Sequence, residues 1–265
     1  MQGIIDFHAH AFPDQVAASA IPYLEEEGDV KARHDGRIAS LLDLMNRDGV
    51  DKSVICSIAT RPSQFEAIMS WSMQIRSDRV IPFPSFHPSD PEMLEHIGMI
   101  RAEGFKGIKM HPYYQQFFLD DETLFPAYEK ICALGLILVM HTGFDIAFPR
   151  IRRCDPRQIL NVLTRFPELK IVTTHLGAWQ QWGEVEELLA GRNIYMDISY
   201  TLDQIYPQTA RRIILKHPRE HILFGTDSPW SGPQETYKNL QALELGAERE
   251  ELILRKNGLA LLDSV

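Results

Sequence analysis

Two histidines stand two residues apart near the start of the chain, in the segment IIDFHAH that contains His8 and His10. On a strand, residues i and i+2 point to the same face, and a rise of about 3.3 Å per residue separates their Cα atoms by roughly 6.6 Å. Two imidazoles at this spacing are able to bind one metal ion. The pair alone is a weak indication of a metal site, because chance also produces it.

Three later residues of suitable chemistry each end an apolar run. His141 ends LILVMH, His175 ends KIVTTH and Asp227 ends HILFGTD. Imidazole nitrogens and carboxylate oxygens are ligands that Zn²⁺ prefers, and Mn²⁺ and Fe²⁺ also accept them. No cysteine accompanies the set, which argues against a closed structural zinc site and for an open site that keeps a position for water.

These residues predict one divalent ion, most simply zinc, held by three histidines and one carboxylate. Zinc in such a site lowers the pKa of a water molecule to about 7, which makes a nucleophile available at neutral pH. We assign proton transfer to His175, as a general base or as a charge stabiliser beside the metal. Asp227 would accept the proton after attack if it also reaches the water.

Eight short runs rich in apolar and β-branched residues predict the strands that position these side chains. Most of the runs are nearly continuous in apolar character, which is typical of parallel strands covered on both faces. The predicted strands are residues 3–8, 52–58, 80–86, 105–110, 136–141, 169–175, 193–199 and 221–227.

Amphipathic segments between the strands predict helices, and several of them end at glycine or just before proline. Strand and helix alternate to the end, which indicates βαβ units with right-handed crossovers, and eight such units close a (β/α)8 TIM barrel. We predict that residues 1–265 form one domain of this kind. A doubly wound open sheet is the alternative, but no GxGxxG motif follows the first strand.

The carboxyl ends of the strands carry the active site of a TIM barrel, so residues that follow the strands are candidates for substrate contacts. Lys109 and His111 end the fourth strand and share a face by the same i, i+2 rule. Arg61, Arg150 and Trp230 lie in the loops after the second, fifth and eighth strands, where an arginine is able to bind a carboxylate through two hydrogen bonds. We predict that these five residues bind the substrate, although each alone also suits a packing or surface role.

The charge and hydrophobicity of the chain exclude several classes of partner. Its 265 residues carry a formal net charge of −9 without any Lys/Arg-rich run, whereas nucleic acids and anionic membranes favour a basic surface. No stretch approaches about 18 apolar residues, and the first residues lack the features of a signal peptide. We expect a cytoplasmic protein that acts on a small-molecule substrate and binds neither nucleic acid nor a membrane.

Together, the motifs resemble those of the amidohydrolase superfamily of metal-dependent TIM barrels, and most closely its amidohydrolase-2 branch. The similar segments are IIDFHAHAFPD, GFKGIKMHPYYQ, LVMHTG, TTHLGAW, ILFGTDSPW and the terminal NGLALL. The branch includes hydrolases, lactonases and non-oxidative decarboxylases related to aminocarboxymuconate semialdehyde decarboxylase. The resemblance implies that His8, His10, His141 and Asp227 bind the metal, that His175 is the catalytic histidine or a further ligand, and that the protein is a homodimer.

Lys109 raises a separate question within this resemblance. Some members of the superfamily carry a carboxylated lysine at the end of the fourth strand, and that group bridges two metal ions. We favour a single ion, with Lys109 as a structural or substrate-facing cation. A bridging carboxylated Lys109 is the alternative.

The predicted activity is that of a metal-dependent hydrolase, which uses metal-activated water on an amide, lactone or related bond of a small, carboxylated substrate. The alternative is a lyase that decarboxylates an unsaturated or aromatic acid with the same metal site and His175. A third interpretation is a metal-binding barrel without activity. The complete set of ligands argues against this third interpretation.

Overall fold

Eight short parallel strands form the centre of the computed structural model, which describes residues 3–265. The strands are β1 Ile4–Ala9, β2 Val50–Cys56, β3 Val80–Phe83, β4 Gly107–Met110, β5 Ile137–Met140, β6 Ile171–Thr173, β7 Tyr195–Asp197 and β8 Ile222–Leu223. Six of them end before the residue predicted from the sequence. The chain leaves the hydrogen-bonded ladder early there, so several polar residues predicted at strand ends lie in the loops that follow.

The strands close into a barrel in their order along the chain. Parallel pairing joins β1 to β2 and β2 to β3. It also joins each strand from β4 to β7 to the strand that follows it. The amide of Lys109 spans one gap with a hydrogen bond to the Pro84 carbonyl oxygen (2.9 Å). The amide of Asp227 spans the other with a bond to the His8 carbonyl oxygen (2.8 Å). The predicted (β/α)8 TIM barrel is therefore confirmed.

Helices surround the barrel and connect its strands. They are α1 Asp14–Gly28, α2 Ile38–Asp48, α3 Phe65–Ile75, α4 Met93–Ala102, α5 Phe125–Ala133, α6 Pro156–Arg165, α7 Trp182–Glu184, α8 Pro207–Lys216, α9 Pro233–Gln241, α10 Ala247–Glu251 and α11 Asn257–Asp263. Turns of 3₁₀ helix, Pro62–Gln64 and Glu122–Leu124, precede α3 and α5, and π-helical turns, Val185–Leu189 and Leu252–Lys256, extend α7 and α10. Within residues 3–265, no helix combines the length and apolar character needed to cross a bilayer.

Helix α1 lies where the sequence predicts no helix. Pro22 stands inside it, and proline removes a backbone hydrogen bond and normally ends or kinks a helix. Ala17 and Ile21 are buried, but Val16 is exposed, so the helix lacks one continuous apolar stripe facing the core. The periodicity that reveals the other helices is weak here for this reason.

The barrel interior is apolar at the amino ends of the strands and is closed there by α11. Phe7, Val139 and Leu261 belong to one buried cluster that fills this end. Lys106, just before β4, donates a hydrogen bond to the Leu262 carbonyl oxygen (2.6 Å), which places α11 under the strands. The opposite end, where the strands stop, is left free for polar side chains.

Asp155 caps the amino end of α6. Its side chain accepts hydrogen bonds from the backbone amides of Arg157 and Gln158, and Pro156 occupies the first helical position. The Arg152 guanidinium also binds the Asp155 carboxylate at 2.6 Å. This cap anchors the end of the long loop that follows β5.

Candidate metal centre and active site

His8, His10 and Asp227 meet where β8 closes against β1. Nε2 of His8 lies 3.2 Å from Nε2 of His10, and the Asp227 carboxylate lies 3.4 Å from the first and 3.1 Å from the second. The φ of Asp227 is 63°, a left-handed conformation that turns its carboxylate toward the two rings. Three of the four predicted metal ligands thus share one position at the barrel mouth.

The orientation of both imidazoles suits a metal ion. Nδ1 of His8 faces the Asp197 carboxylate (3.0 Å), and Nδ1 of His10 faces the Cys56 carbonyl oxygen (2.8 Å). Each acceptor holds the ring proton on Nδ1, so each Nε2 presents its lone pair to the shared position. Two neutral imidazoles and one carboxylate fit a borderline divalent ion.

Electrostatics keep His8 and Asp227 in the forms that bind metals. Burial lowers the pKa of His8 to about 4, and the neighbouring Lys109 ammonium also lowers it. Burial alone would raise the pKa of Asp227, but the nearby His8, His10 and His175 together hold it well below its ordinary value. At neutral pH the His8 ring is neutral and the Asp227 carboxylate is ionised.

The fourth predicted ligand, His141, belongs to a second group of side chains. His141 stacks on His111 with ring centroids 4.0 Å apart, and the Asp145 carboxylate lies 3.3 Å from Nε2 of His111 and 3.6 Å from Nε2 of His141. Nε2 of His141 also faces the Phe144 carbonyl oxygen (3.1 Å), because the loop after β5 folds back over the ring. Coordination of the same ion by His141 therefore stays a prediction.

His175 lies between the two groups. Its Nε2 is 3.2 Å from Nδ1 of His141, and its ring centroid is 5.6 Å from that of His8. Nδ1 of His175 donates to the Ser199 carbonyl oxygen (2.9 Å), which leaves Nε2 as the nitrogen on the active-site side. The φ of His175 is 59°, and this left-handed turn after β6 brings the ring into the mouth.

Asp197, at the end of β7, holds this arrangement together and was missed by sequence reasoning. Its carboxylate accepts hydrogen bonds from the His8 ring, the His175 amide (3.1 Å) and the Ser199 hydroxyl (2.6 Å). Burial is the largest single influence and opposes ionisation, but His8, His175 and the Ser199 hydrogen bond together outweigh it and lower the pKa of Asp197 to about 2. A carboxylate inside the apolar run NIYMDISY was the signal that pointed to it. Asp145 carried no such signal, because it lies in a loop.

Lys109 lies inside the barrel rather than at its rim. Its side chain is fully buried, and its Nζ is 2.9 Å from Nε2 of His8. The ammonium therefore points at the same lone pair that faces the predicted ion. His111 and Trp230, two other predicted substrate residues, line the cavity above the metal group together with Lys109.

The cavity has a volume of about 360 Å³ and opens over the histidines. Arg61 and Arg150 are not among its lining residues, and both side chains are exposed. Arg150 donates to Gln180 and packs on the outer side of the Phe144 ring, with 5.1 Å between its guanidinium carbon and the ring centroid. The contact of these arginines with a substrate carboxylate stays a prediction, and the geometry gives it no support.

The chain matches the family model described as amidohydrolase over residues 5–263. That match covers nearly the whole sequence, so the protein belongs to this amidohydrolase family, and the resemblance inferred from the motifs is confirmed. No curated protein matches the sequence significantly.

Solved structures share the fold at low sequence identity. An uncharacterised TIM-barrel protein from Bordetella bronchiseptica superposes with a TM-score of 0.76 at 19% identity, covering 99% of both chains. The 2,6-dihydroxybenzoate decarboxylase from Rhizobium gives 0.71 at 17% identity, again over 99% of each chain. A dihydroxybenzoic acid decarboxylase from Polaromonas, with bound manganese and the inhibitor 2-nitroresorcinol, gives 0.72 at 14% identity and covers 99% of this chain and 97% of that one. At these identities the likeness shows the fold alone.

Proposed function

We propose that the protein is a metal-dependent, non-oxidative decarboxylase of an aromatic carboxylic acid. The observation that carries the proposal is the position of His8, His10 and Asp227, which sit beside His175 at the base of a mostly apolar cavity. Membership of the amidohydrolase family and the structural likeness to dihydroxybenzoate decarboxylases support it. This function is the alternative weighed from the sequence, and it replaces hydrolysis as the leading candidate.

His8, His10 and Asp227 would hold the ion, with His141 as the predicted fourth ligand. A divalent ion supplies positive charge that binds and polarises oxygen atoms of the substrate. Zinc, manganese and ferrous iron all accept two imidazoles and a carboxylate. Manganese is the ion bound in the Polaromonas decarboxylase.

His175 is the residue that we assign to the proton. In the reaction the bond between the ring carbon and the carboxyl carbon breaks, its electron pair stays on the ring carbon, and carbon dioxide leaves. The ring carbon then takes up one proton, and Nε2 of His175 is the atom placed to donate it. The Ser199 carbonyl oxygen, 2.9 Å from Nδ1, holds the ring in the required orientation.

The apolar walls favour this reaction in a second way. A carboxylate that enters the cavity exchanges part of its water shell for residues such as Trp71, Phe144 and Trp230. Loss of neutral carbon dioxide leaves the negative charge on the ring carbon, and protonation of that carbon then removes the charge that these walls solvate poorly. A hydrolase needs water at the reacting bond, whereas these walls limit the access of water.

Hydrolysis of a lactone or amide is the second candidate. The family description, amidohydrolase, favours it, because the same groups are able to serve a hydrolytic reaction. His175 and Asp227 would then accept the protons of the attacking water.

The test uses purified protein stripped of metal and reloaded separately with zinc, manganese or ferrous iron. Each form is assayed for carbon dioxide release from hydroxylated benzoic acids and for ring opening of aryl lactones. We expect carbon dioxide and the decarboxylated arene in equal amounts, only in a metal-loaded form. Lactone or amide cleavage without carbon dioxide release would instead establish the hydrolase.

A further inference from the structure

The cavity has a polar inner end and an apolar outer part. His8, His175 and Asp227 lie at the inner end, where the two histidines are almost fully buried. The outer wall is built from α1, α3 and the loop after β5. Its principal side chains are Val16, Leu24, Ile68, Trp71, Phe144 and Ile146.

Helix α1 carries two sets of apolar side chains, one that is buried in the core and one that lines the cavity. Ala17 and Ile21 are buried against the barrel, whereas Val16 and Leu24 line the cavity. Val16 remains 46% exposed, and Ile146, in the loop after β5, remains 47% exposed. Apolar side chains that the protein's own fold leaves in water are available to cover an apolar ligand.

Helix α3 also carries apolar side chains that the core buries and others that line the cavity. Phe65 and Met69 are buried in the core, and Ile68 and Trp71 line the cavity. Two helices from different parts of the chain therefore present apolar surface to the same space. Because two helices contribute, we infer that this apolar surface binds a ligand. Incomplete packing of a single helix would not explain it.

Positive charge is nearly absent from the cavity wall. Among the lining residues that the structure describes, Lys109 is the only lysine or arginine, and it is fully buried beside His8. Asp145 and Asp227 are the lining carboxylates, and both sit among the histidines. A second anionic group at the far end of a ligand would meet no cation in the outer part.

We propose that the substrate is a hydrophobic acid, with a single carboxylate at its reacting end and an apolar body of a second ring or an alkyl chain. This inference rests on the proposed function for the reacting end. The apolar body would occupy the space between α1, α3 and the loop after β5. A cavity of about 360 Å³ is within the range of roughly 300–1,000 Å³ typical of sites for ligands larger than a single ring. The carboxylate contacts predicted for Arg61 and Arg150 have no counterpart in these walls, because neither arginine lines the cavity.

Binding of three acids to the metal-loaded protein tests the proposal by calorimetry, independently of turnover. Benzoate is the reference, 4-phenylbenzoate adds an apolar ring, and terephthalate adds a second carboxylate at the same position. We expect 4-phenylbenzoate to bind at least about tenfold more tightly than benzoate. We expect terephthalate to bind no more tightly than benzoate. Equal affinities for benzoate and 4-phenylbenzoate, or a preference for terephthalate, would overturn the proposal.

A charge placed in the wall gives a second, matched test. Ala67 is an exposed residue of α3 that lines the cavity, so Ala67→Glu puts a carboxylate in the outer part without disturbing the core. We expect the preference for 4-phenylbenzoate over benzoate to fall about tenfold. Ala18→Glu, on an exposed position of α1 outside the cavity, is the control and keeps the preference. An unchanged preference in the Ala67 variant, with an unchanged melting temperature, would contradict the inference.

The two proposals fail in different ways. Tight binding of 4-phenylbenzoate without carbon dioxide release from any aromatic acid would refute the decarboxylase and leave the assignment of the apolar wall intact. Release of carbon dioxide from hydroxylated benzoates, with no gain from an apolar body in binding or in kcat/KM, would refute the substrate class and leave the decarboxylase intact.

Discussion

The carboxylate of Asp197 lies 3.0 Å from Nδ1 of His8, and both side chains are buried inside the barrel. The same carboxylate binds the amide of His175, so one acid at the end of β7 orients a predicted metal ligand and the proposed proton donor. A carboxylate that holds the far nitrogen of a ligating histidine fixes its tautomer and ring angle.

Asp197→Asn is therefore expected to weaken metal binding by about 10- to 100-fold, because the amide no longer holds the proton of His8 on Nδ1. Competition with a chromophoric chelator measures the affinity. Asp203→Asn, in the exposed loop after β7, is the control and should bind metal like the wild type. Equal affinities in the two variants would show that Asp197 has only a packing role.

His175→Asn separates proton transfer from metal binding. The asparagine amide is able to donate to the Ser199 carbonyl oxygen, but it offers no titratable nitrogen. We expect turnover to fall by about 10²- to 10⁴-fold with the metal content unchanged. Elemental analysis of the purified variant provides the second measurement, and loss of the metal would identify His175 as a ligand.

Lys109→Met tests how the buried ammonium relates to the ion. Because Nζ points at Nε2 of His8, the positive charge competes with a cation for the same lone pair. We expect the methionine variant to bind the metal about tenfold more tightly, by removal of this repulsion. A variant that binds less metal, or loses a second equivalent, would support a carboxylated, bridging Lys109 instead.

His217 gives a pH-dependent stability that is independent of the active site. Nε2 donates to the Ile194 carbonyl oxygen and Nδ1 accepts from the Gly191 amide, so the buried ring is neutral. Burial lowers the pKa of His217 from 6.5 to about 4. The unfolded chain therefore binds more protons between these values, and stability is lost as the pH falls from about 6.5 to 4.

The loss attributable to His217 is on the order of 3 kcal/mol. Urea unfolding of the wild type and of His217→Gln at pH 7 and pH 4.5 measures it, since glutamine retains a donor and an acceptor without titrating. The pH dependence should be smaller in the variant. Between pH 7 and pH 9 the free energy of unfolding should depend on pH equally in the two proteins. An equal dependence below pH 6 as well would refute the assignment to His217.

Gly107 is required by the packing of the barrel interior. A Cβ atom at this position would lie 2.2 Å from the ring of Phe83, which is itself fully buried. Gly107→Ala is expected to lower the free energy of unfolding by about 1–3 kcal/mol through overpacking. Adding Phe83→Leu makes room for the new methyl group, so the double variant should lose less than the sum of the single losses. Additive losses would place the cause elsewhere.

The barrel and one half of the site were predictable because they depend on local pattern. Eight apolar runs mark the strands, and the polar residues that end them converge wherever parallel strands share an edge. His8, His10 and Asp227 follow from this rule. His175 is brought to the same mouth by a left-handed turn just after β6.

The rest depends on the paths of individual loops. His141 directly follows its strand, but Phe144 and Asp145 fold back over it, and the spacing of residues does not reveal that path. The loop arginines, Arg61 and Arg150, were selected by residue type, which does not say whether a long exposed side chain turns inward. Helix α1, which builds much of the cavity wall, was hidden by Pro22.

The hydrogen bond between the His8 carbonyl oxygen and the Asp227 amide joins the first strand of the barrel to the turn after the last. An ion held by these two residues would therefore link the first strand of the barrel to the turn after the last strand. A barrel that lacks β8 and this turn is unable to form the site. At a free concentration of a thousand times its Kd, such an ion would add about 4 kcal/mol to the free energy of unfolding. Separation of β1 from β8 would release such an ion. The rate of ion release would therefore measure how often these two strands separate.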